Sequence, residues 1–62
     1  MFGFKTKNST YYMNQKDKTI SGGFFGEQVV CYKNAQVMVG APAIIALENG
    51  NVVKTGTVRE YL

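Results

Sequence analysis

The sequence predicts an all-β fold: a small single-domain barrel or two-sheet roll, SH3-like or OB-like in outline, with six to eight short antiparallel strands in residues 1–62. β-Branched and aromatic residues occur in short runs that are separated by glycine, asparagine and polar turn signals. The pair Asn49-Gly50 between two apolar runs is the strongest of these signals and predicts a hairpin. Only residues 41–48 have helix-forming composition, and they lack an N-cap, so we expect at most one helical turn.

The first half of the chain predicts three strands. Residues 2–6 alternate large with small or polar side chains, which places Phe2 and Phe4 on one face of a strand. Residues 10–13 are β-branched and aromatic, and residues 19–21 form the returning strand after a wholly polar run.

The second half predicts further strands with a break between them. Residues 28–33 form a strand, Asn34 and Ala35 a turn, and residues 36–39 the next strand. Because proline cannot donate a hydrogen bond to a central ladder, Pro42 should open a strand, lie at an edge or occupy a bend.

Two turn geometries fit Asn49-Gly50. In a type I′ turn both residues have positive φ and Leu47 pairs with Val52. In a type I turn with a G1 bulge only Gly50 is left-handed and Leu47 pairs with Asn51. The second geometry gives the better apolar match on one face, so we favour it.

The chain then predicts a kink at residues 54–56 and a last strand at residues 57–62. Along that last strand Thr57, Arg59 and Tyr61 alternate with Val58, Glu60 and Leu62. We expect it to close the barrel by pairing with the N-terminal strand.

The small size of the domain favours self-assembly. A domain of 62 residues buries only about 60% of the surface that its unfolded chain exposes, so its core is thin. One cysteine and no histidine exclude an intramolecular disulfide and a Cys/His zinc site. We therefore expect a homo-oligomer, stabilised by partner subunits.

The lone cysteine also bears on location. Cys31 follows two valines, a setting typical of a buried structural thiol, and a reduced cysteine fits an intracellular protein. Residues 1–5 lack the features of a signal peptide, and no run approaches the ~20 apolar residues of a membrane span. We expect a cytoplasmic protein that does not enter a membrane.

The sequence offers no constellation for catalysis. The usual general base is absent because the chain has no histidine, and its four carboxylates fall in predicted loops or at strand ends. A domain of this size also has little room for a pocket of a few hundred Å³. We expect a non-enzymatic protein with no catalytic residue, metal, cofactor or small-molecule substrate.

Residues 22–26, Gly-Gly-Phe-Phe-Gly, support two interpretations. Three glycines permit backbone conformations that are closed to other residues, while the two phenylalanines add large rings. The segment is either a bend at a barrel corner with at least one ring in the core, or a binding loop that presents an exposed ring. Its glycine spacing matches neither a dinucleotide fingerprint nor a P-loop.

Binding of a protein partner is the function that we favour. Aromatic residues make up 13% of the chain, more than a core of this size needs. Tyr11 and Tyr12 are adjacent in a predicted strand and must face opposite sides, so at least one is partly exposed. We expect Phe24, Phe25 and Tyr11 to contact a protein partner or a second copy.

Nucleic-acid binding is the alternative. The formal charge is +3 and the basic excess lies in the first half of the chain. In this interpretation Tyr11 and Tyr12 are stacking platforms and five lysines contact phosphates. These lysines are Lys5, Lys7, Lys16, Lys18 and Lys33.

Residues 39–55, Val-Gly-Ala-Pro-Ala-Ile-Ile-Ala-Leu-Glu-Asn-Gly-Asn-Val-Val-Lys-Thr, resemble the C-terminal part of short uncharacterised proteins of Gram-positive bacteria and their phages. The matching run covers about a quarter of the chain. The resemblance implies an intracellular accessory protein, such as one that inhibits an enzyme by occupying its surface.

Overall fold

The computed structural model describes residues 2–62, which form seven antiparallel strands in one sheet that curls into a half-barrel. The sheet order is β6-β5-β4-β3-β2-β1-β7. The all-β class and the strand number predicted above are confirmed, and the helical content is one 3-10 turn, Gly23–Phe25. The strands are β1 (Phe2–Lys5), β2 (Thr10–Asn14), β3 (Thr19–Gly22), β4 (Val30–Gln36), β5 (Pro42–Leu47), β6 (Val52–Thr57) and β7 (Glu60–Tyr61).

The meander of β1, β2 and β3 follows from its alternating pattern. Phe4 lies opposite Tyr11, and Met13 lies opposite Ile20, and all four side chains are buried on the concave face. Phe2 packs against this core on the same face as Phe4, as predicted.

Strand β4 differs from the prediction. Asn34 and Ala35 were predicted to form a turn, but both lie within β4, and the predicted strand at residues 36–39 is wrong because β4 ends at Gln36. A β-bulge between Tyr32 and Asn34 bends the strand, so the chain changes direction here without reversing. The bulge lets one strand pair with β3 at one end and with β5 at the other.

The hairpin of β5 and β6 has the second of the two predicted geometries. Gly50 is the one residue of this turn with positive φ, at 94°, and the Leu47 N–H donates to the Asn51 carbonyl over 2.8 Å. Ile45 consequently lies opposite Val53. Pro42 opens β5, where no ladder donor is required of it.

The kink predicted at residues 54–56 is a bulge inside a continuous strand. Two β6 residues, Thr55 and Gly56, lie opposite Ala43 alone. The Thr55 hydroxyl accepts the Ala43 N–H over 3.1 Å and donates to the Gly56 carbonyl over 2.8 Å. A buried side chain therefore satisfies the backbone amide that the bulge leaves without a strand partner.

The two ends of the sheet meet at Val58. Strand β7 pairs with β1, as predicted, although it is shorter than expected and Thr57 belongs to β6. Between β6 and β7, the Val58 N–H donates to Ala41 and its carbonyl accepts from Gly40, over 3.0 and 2.9 Å. The side chain of Val58 is buried, so this crossing also closes the core.

The prediction of a buried Cys31 is wrong. Tyr32 is directed into the core, and neighbouring residues of a strand face opposite sides, so Cys31 lies on the outer face and is exposed. The apolar run that precedes Cys31 gave no indication of which face it would take. Among residues 2–62, no helix is long and apolar enough to cross a membrane.

The backbone of Gly50 yields a stability prediction. No atom lies within 4 Å of a Cβ placed there, so the cost of a side chain comes from its positive φ alone. We expect Gly50→Val to lower the free energy of unfolding by about 1–2 kcal/mol, and Gly50→Asn by less, because asparagine tolerates left-handed backbone. Urea unfolding measures both, and equal stability of Gly50→Val and wild type would contradict the turn geometry.

The exposure of Cys31 yields a second prediction. A thiol reagent such as 5,5′-dithiobis(2-nitrobenzoate) should label the native protein at a rate within about tenfold of the rate in urea, since an accessible thiol needs no unfolding step. Labelling that requires unfolding would show that Cys31 is buried.

Candidate interaction surface

The segment at residues 22–26, named here the Phe24 loop, presents an aromatic ring to solvent. It connects β3 to the chain leading into β4 and contains the 3-10 turn. The side chain of Phe24 is 74% exposed, whereas Phe25 packs against the core. Each interpretation of this segment therefore describes one of its phenylalanines. Phe25 is the internal ring of a bend, and Phe24 is the exposed ring of a loop.

Glycine is required where the Phe24 loop crosses β2. Gly22 and Gly23 have φ of 87° and 47°. A Cβ at Gly22 would overlap the carbonyl oxygen of Thr10, and one at Gly23 would overlap the ring of Tyr11. The backbone of the loop therefore lies directly against β2 and the Tyr11 ring, closer than any other residue type allows.

Hydrogen bonds fix the path of the loop. The Gly22 N–H donates to the Gly26 carbonyl over 2.8 Å, and the Gly26 N–H donates to the Gly23 carbonyl over 3.1 Å. The phenolic oxygen of Tyr11 accepts the Phe24 N–H over 3.1 Å. A side chain from the core thus holds the backbone of the residue that carries the exposed ring.

Three aromatic rings, of Phe4, Tyr11 and Phe25, connect the core to Phe24. The rings of Phe4 and Tyr11 are stacked, with centroids 4.9 Å apart and 13° between their planes. Phe25 meets Tyr11 edge to face at 6.4 Å, and Phe24 meets Phe25 edge to face at 5.4 Å. These are favourable aromatic geometries, and they restrict the orientation of the Phe24 ring.

Tyr11 and Tyr12 lie on opposite faces of the sheet, as neighbouring residues of a strand must. Tyr11 is 4% exposed and lies in the core, so its ring offers no surface to a partner, in contrast to its expected role as a contact or stacking residue. Tyr12 faces outward and is 48% exposed. Tyr11 instead positions the Phe24 loop.

A second group of exposed apolar side chains consists of Tyr12, Val29 and Leu62, and of these sequence reasoning anticipated only Tyr12. Gly3 lies opposite Tyr12, and the Leu62 side chain covers Gly3, where a Cβ would lie 2.8 Å from Leu62 Cδ1. Val29, just before β4, is also exposed. The contact between Leu62 and Gly3 joins residues from the two ends of the described chain, and no local pattern could have revealed it.

The five lysines of the nucleic-acid interpretation do not lie together. Lys5 ends β1, and Lys7 follows it, beside the start of β2. Lys16 and Lys18 lie in the turn after β2, so the strand separates the two pairs by about 13 Å at ~3.3 Å per residue. Lys33, in the β4 bulge, lines the same depression as Lys18. All five are exposed.

The structure contains more open volume than the sequence suggested. A depression of about 360 Å³ lies at the end of the half-barrel bounded by the β2–β3 turn, so the expectation that a domain this small has little room for such a pocket is wrong. Among residues 2–62, no group of three or more His, Cys, Asp or Glu side chains is placed to hold a metal ion.

No protein-family model, curated protein or solved structure matches this chain.

The bond between Tyr11 and Phe24 can be tested by removing one oxygen atom. Tyr11→Phe should lower the free energy of unfolding by about 1 kcal/mol, and amide exchange at Phe24 should become faster, because its N–H loses its partner. Tyr12→Phe is the matched control, since Tyr12 is on the outer face and should change neither quantity. Unchanged exchange at Phe24 in Tyr11→Phe would contradict the positioning role.

Proposed function

We propose that this protein is a non-enzymatic protein-interaction module that anchors itself to a partner through Phe24. One observation carries the proposal: a phenylalanine ring 74% exposed on a loop whose backbone is bound to the core. A ring that lies mostly in solvent contributes little to folding by burial, but a partner that covers it gains that burial.

The fixed backbone of the Phe24 loop bears on affinity. A binding loop that orders only on association loses conformational entropy at that step, which reduces the affinity. The loop here is held by its own hydrogen bonds and by Tyr11, so most of that ordering has already occurred on folding. A buried aromatic anchor at an interface can contribute about 2 kcal/mol or more when it is truncated.

The partner expected from this surface is a protein with an apolar cleft that accepts one aromatic ring. The protein would act solely by occupying that cleft, as an accessory or inhibitor protein does. Tyr12 and Leu62 add apolar area on the outer face of the sheet, and Val29 is exposed just before β4.

A second copy of the chain is an alternative partner, and it would bind through a different surface. Ile44 and Val52 are exposed on the outer face of β5 and β6, and β6 is an edge strand of the sheet. A homo-oligomer built on that edge would leave Phe24 free for a further partner.

Nucleic acid is the second candidate function. It is supported by Lys18 and Lys33 at one depression and by Lys16 in the turn beside them. Three lysines would give a log-log salt slope of at most about 2.1 in magnitude on single strands, from ~0.7 for each phosphate contact. Tyr12 is the exposed tyrosine that remains available for stacking.

The anchoring role of Phe24 can be tested by truncating Phe24 and, as a control, Val52, which is an exposed apolar residue on a different surface. Proteins retained by the immobilised wild type are purified and titrated by calorimetry against wild type, Phe24→Ala and Val52→Ala. We expect Phe24→Ala to weaken binding by about 30-fold, which corresponds to ~2 kcal/mol, and Val52→Ala to leave it unchanged. Both variants should keep wild-type stability within about 0.5 kcal/mol, because both side chains are exposed.

Three results would contradict the proposal. One is equal affinity of Phe24→Ala and wild type for every retained protein. Another is sedimentation showing that the sole association is self-association, abolished by Val52→Ala and unaffected by Phe24→Ala. The third is salt-sensitive anisotropy of labelled oligonucleotides with no protein partner retained.

A further inference from the structure

The depression of about 360 Å³ is produced by the divergence of two strands. Strand β4 pairs with β3 at Val30 and Cys31, and from Tyr32 onward it pairs with β5 instead. The gap lies between the turn that precedes β3 and the second half of β4. It is at the N-terminal end of β3, whereas the Phe24 loop follows the C-terminal end, so the two sites are separate.

Five of the nine described residues that line the depression are apolar or aromatic, and the most deeply buried of them, Met13 and Tyr32, lie at its floor. Phe2 and Met13 line it from β1 and β2, Tyr32 and Ala35 from β4, and Val37 from the loop that follows. The Tyr61 hydroxyl donates to the Val37 carbonyl over 3.2 Å, and the Tyr61 ring lies 5.4 Å from the ring of Phe2. The Tyr61 side chain of β7 therefore supports the side of the depression that Phe2 and Val37 form.

The rim is cationic and polar. Lys18 and Lys33 line the depression, together with the amide side chains of Gln15 and Asn34. None of the described residues that line it is acidic. Asp17, in the same turn as Lys18, accepts a hydrogen bond from the Asn14 side chain over 3.3 Å.

The backbone holds both lysines at this rim. Lys18 has φ of 55°, and its carbonyl accepts the Tyr32 N–H over 2.9 Å, so the turn is bound to β4 one residue before Lys33. Lys33 lies in the bulge, where two consecutive residues, Lys33 and Asn34, are exposed although a regular strand would alternate. A bulge redirects side chains in this way and is frequent beside binding sites.

We propose that this depression binds a small organic anion whose apolar body, of one or two rings, lies on the floor while its carboxylate or phosphate lies between Lys18 and Lys33. Charge complementarity supports this choice, because an apolar floor with two cations and no carboxylate matches an amphipathic anion. The volume lies at the lower end of the 300–1,000 Å³ that is usual for ligand pockets, which limits the ligand to about two rings.

A pair of isosteric probes tests the proposal. 2-Naphthoate carries the anion and 2-naphthamide is its neutral counterpart, and each is titrated into the full chain while backbone amide shifts are followed by NMR. We expect 2-naphthoate to shift Met13, Tyr32 and Ala35 and to bind at least about fivefold more tightly than 2-naphthamide.

Lysine variants then test which side chains interact with the carboxylate of 2-naphthoate. Lys18→Gln and Lys33→Gln should each weaken 2-naphthoate binding by about two- to fivefold and leave 2-naphthamide unchanged, as is usual for exposed ion pairs. Lys7→Gln, an exposed lysine beside the opposite end of β2, should have no effect. Amide spectra of the variants confirm that each remains folded.

The proposal is overturned if 2-naphthoate does not bind, if both probes bind equally, or if Lys7→Gln weakens binding as much as Lys33→Gln. It is also overturned if the largest shifts fall in residues 22–26. Since the Phe24 loop lies at the other end of β3, none of these results depends on whether Phe24 binds a protein partner.

Discussion

The contact between Tyr11 and the Phe24 loop is the interaction on which the functional surface depends. The Tyr11 ring fills the core beside Phe4, its face excludes any side chain at Gly23, and its hydroxyl accepts the Phe24 N–H. One residue therefore couples folding of the core to the position of an exposed ring. Because the ring and the hydroxyl contribute separately, the coupling can be weakened without removing the core contact.

The β-bulges and the Val58 crossing allow a sheet of short strands to curl around a small core. The bulge in β4 turns one strand from β3 towards β5, and the bulge in β6 is accommodated by the Thr55 hydroxyl. Val58 then joins the two ends of the sheet. The curl gives the two ends of β3 different surfaces: an aromatic loop at one end and a cationic depression at the other.

Local sequence was sufficient for the features that local chemistry determines. Alternation predicted the meander of β1 to β3, and Asn49-Gly50 predicted the hairpin and its bulge. Sequence failed where distant contacts decide. Strand β4 is bent because it pairs with β3 at one end and with β5 at the other. Cys31 is exposed because its neighbour Tyr32 faces the core. Which of the two phenylalanines is exposed depends on how the 3-10 turn lies against Tyr11, and that is likewise a tertiary contact.

Backbone ¹⁵N relaxation of residues 22–26 tests the central claim most directly, because the claim is that Phe24 is held in place before any partner arrives. The hydrogen bonds and positive-φ glycines of the loop predict order parameters of about 0.85, equal to those of β2 and β3. Values below about 0.6 at Phe24 would show a mobile loop on the picosecond to nanosecond timescale and would contradict preorganised presentation of the ring.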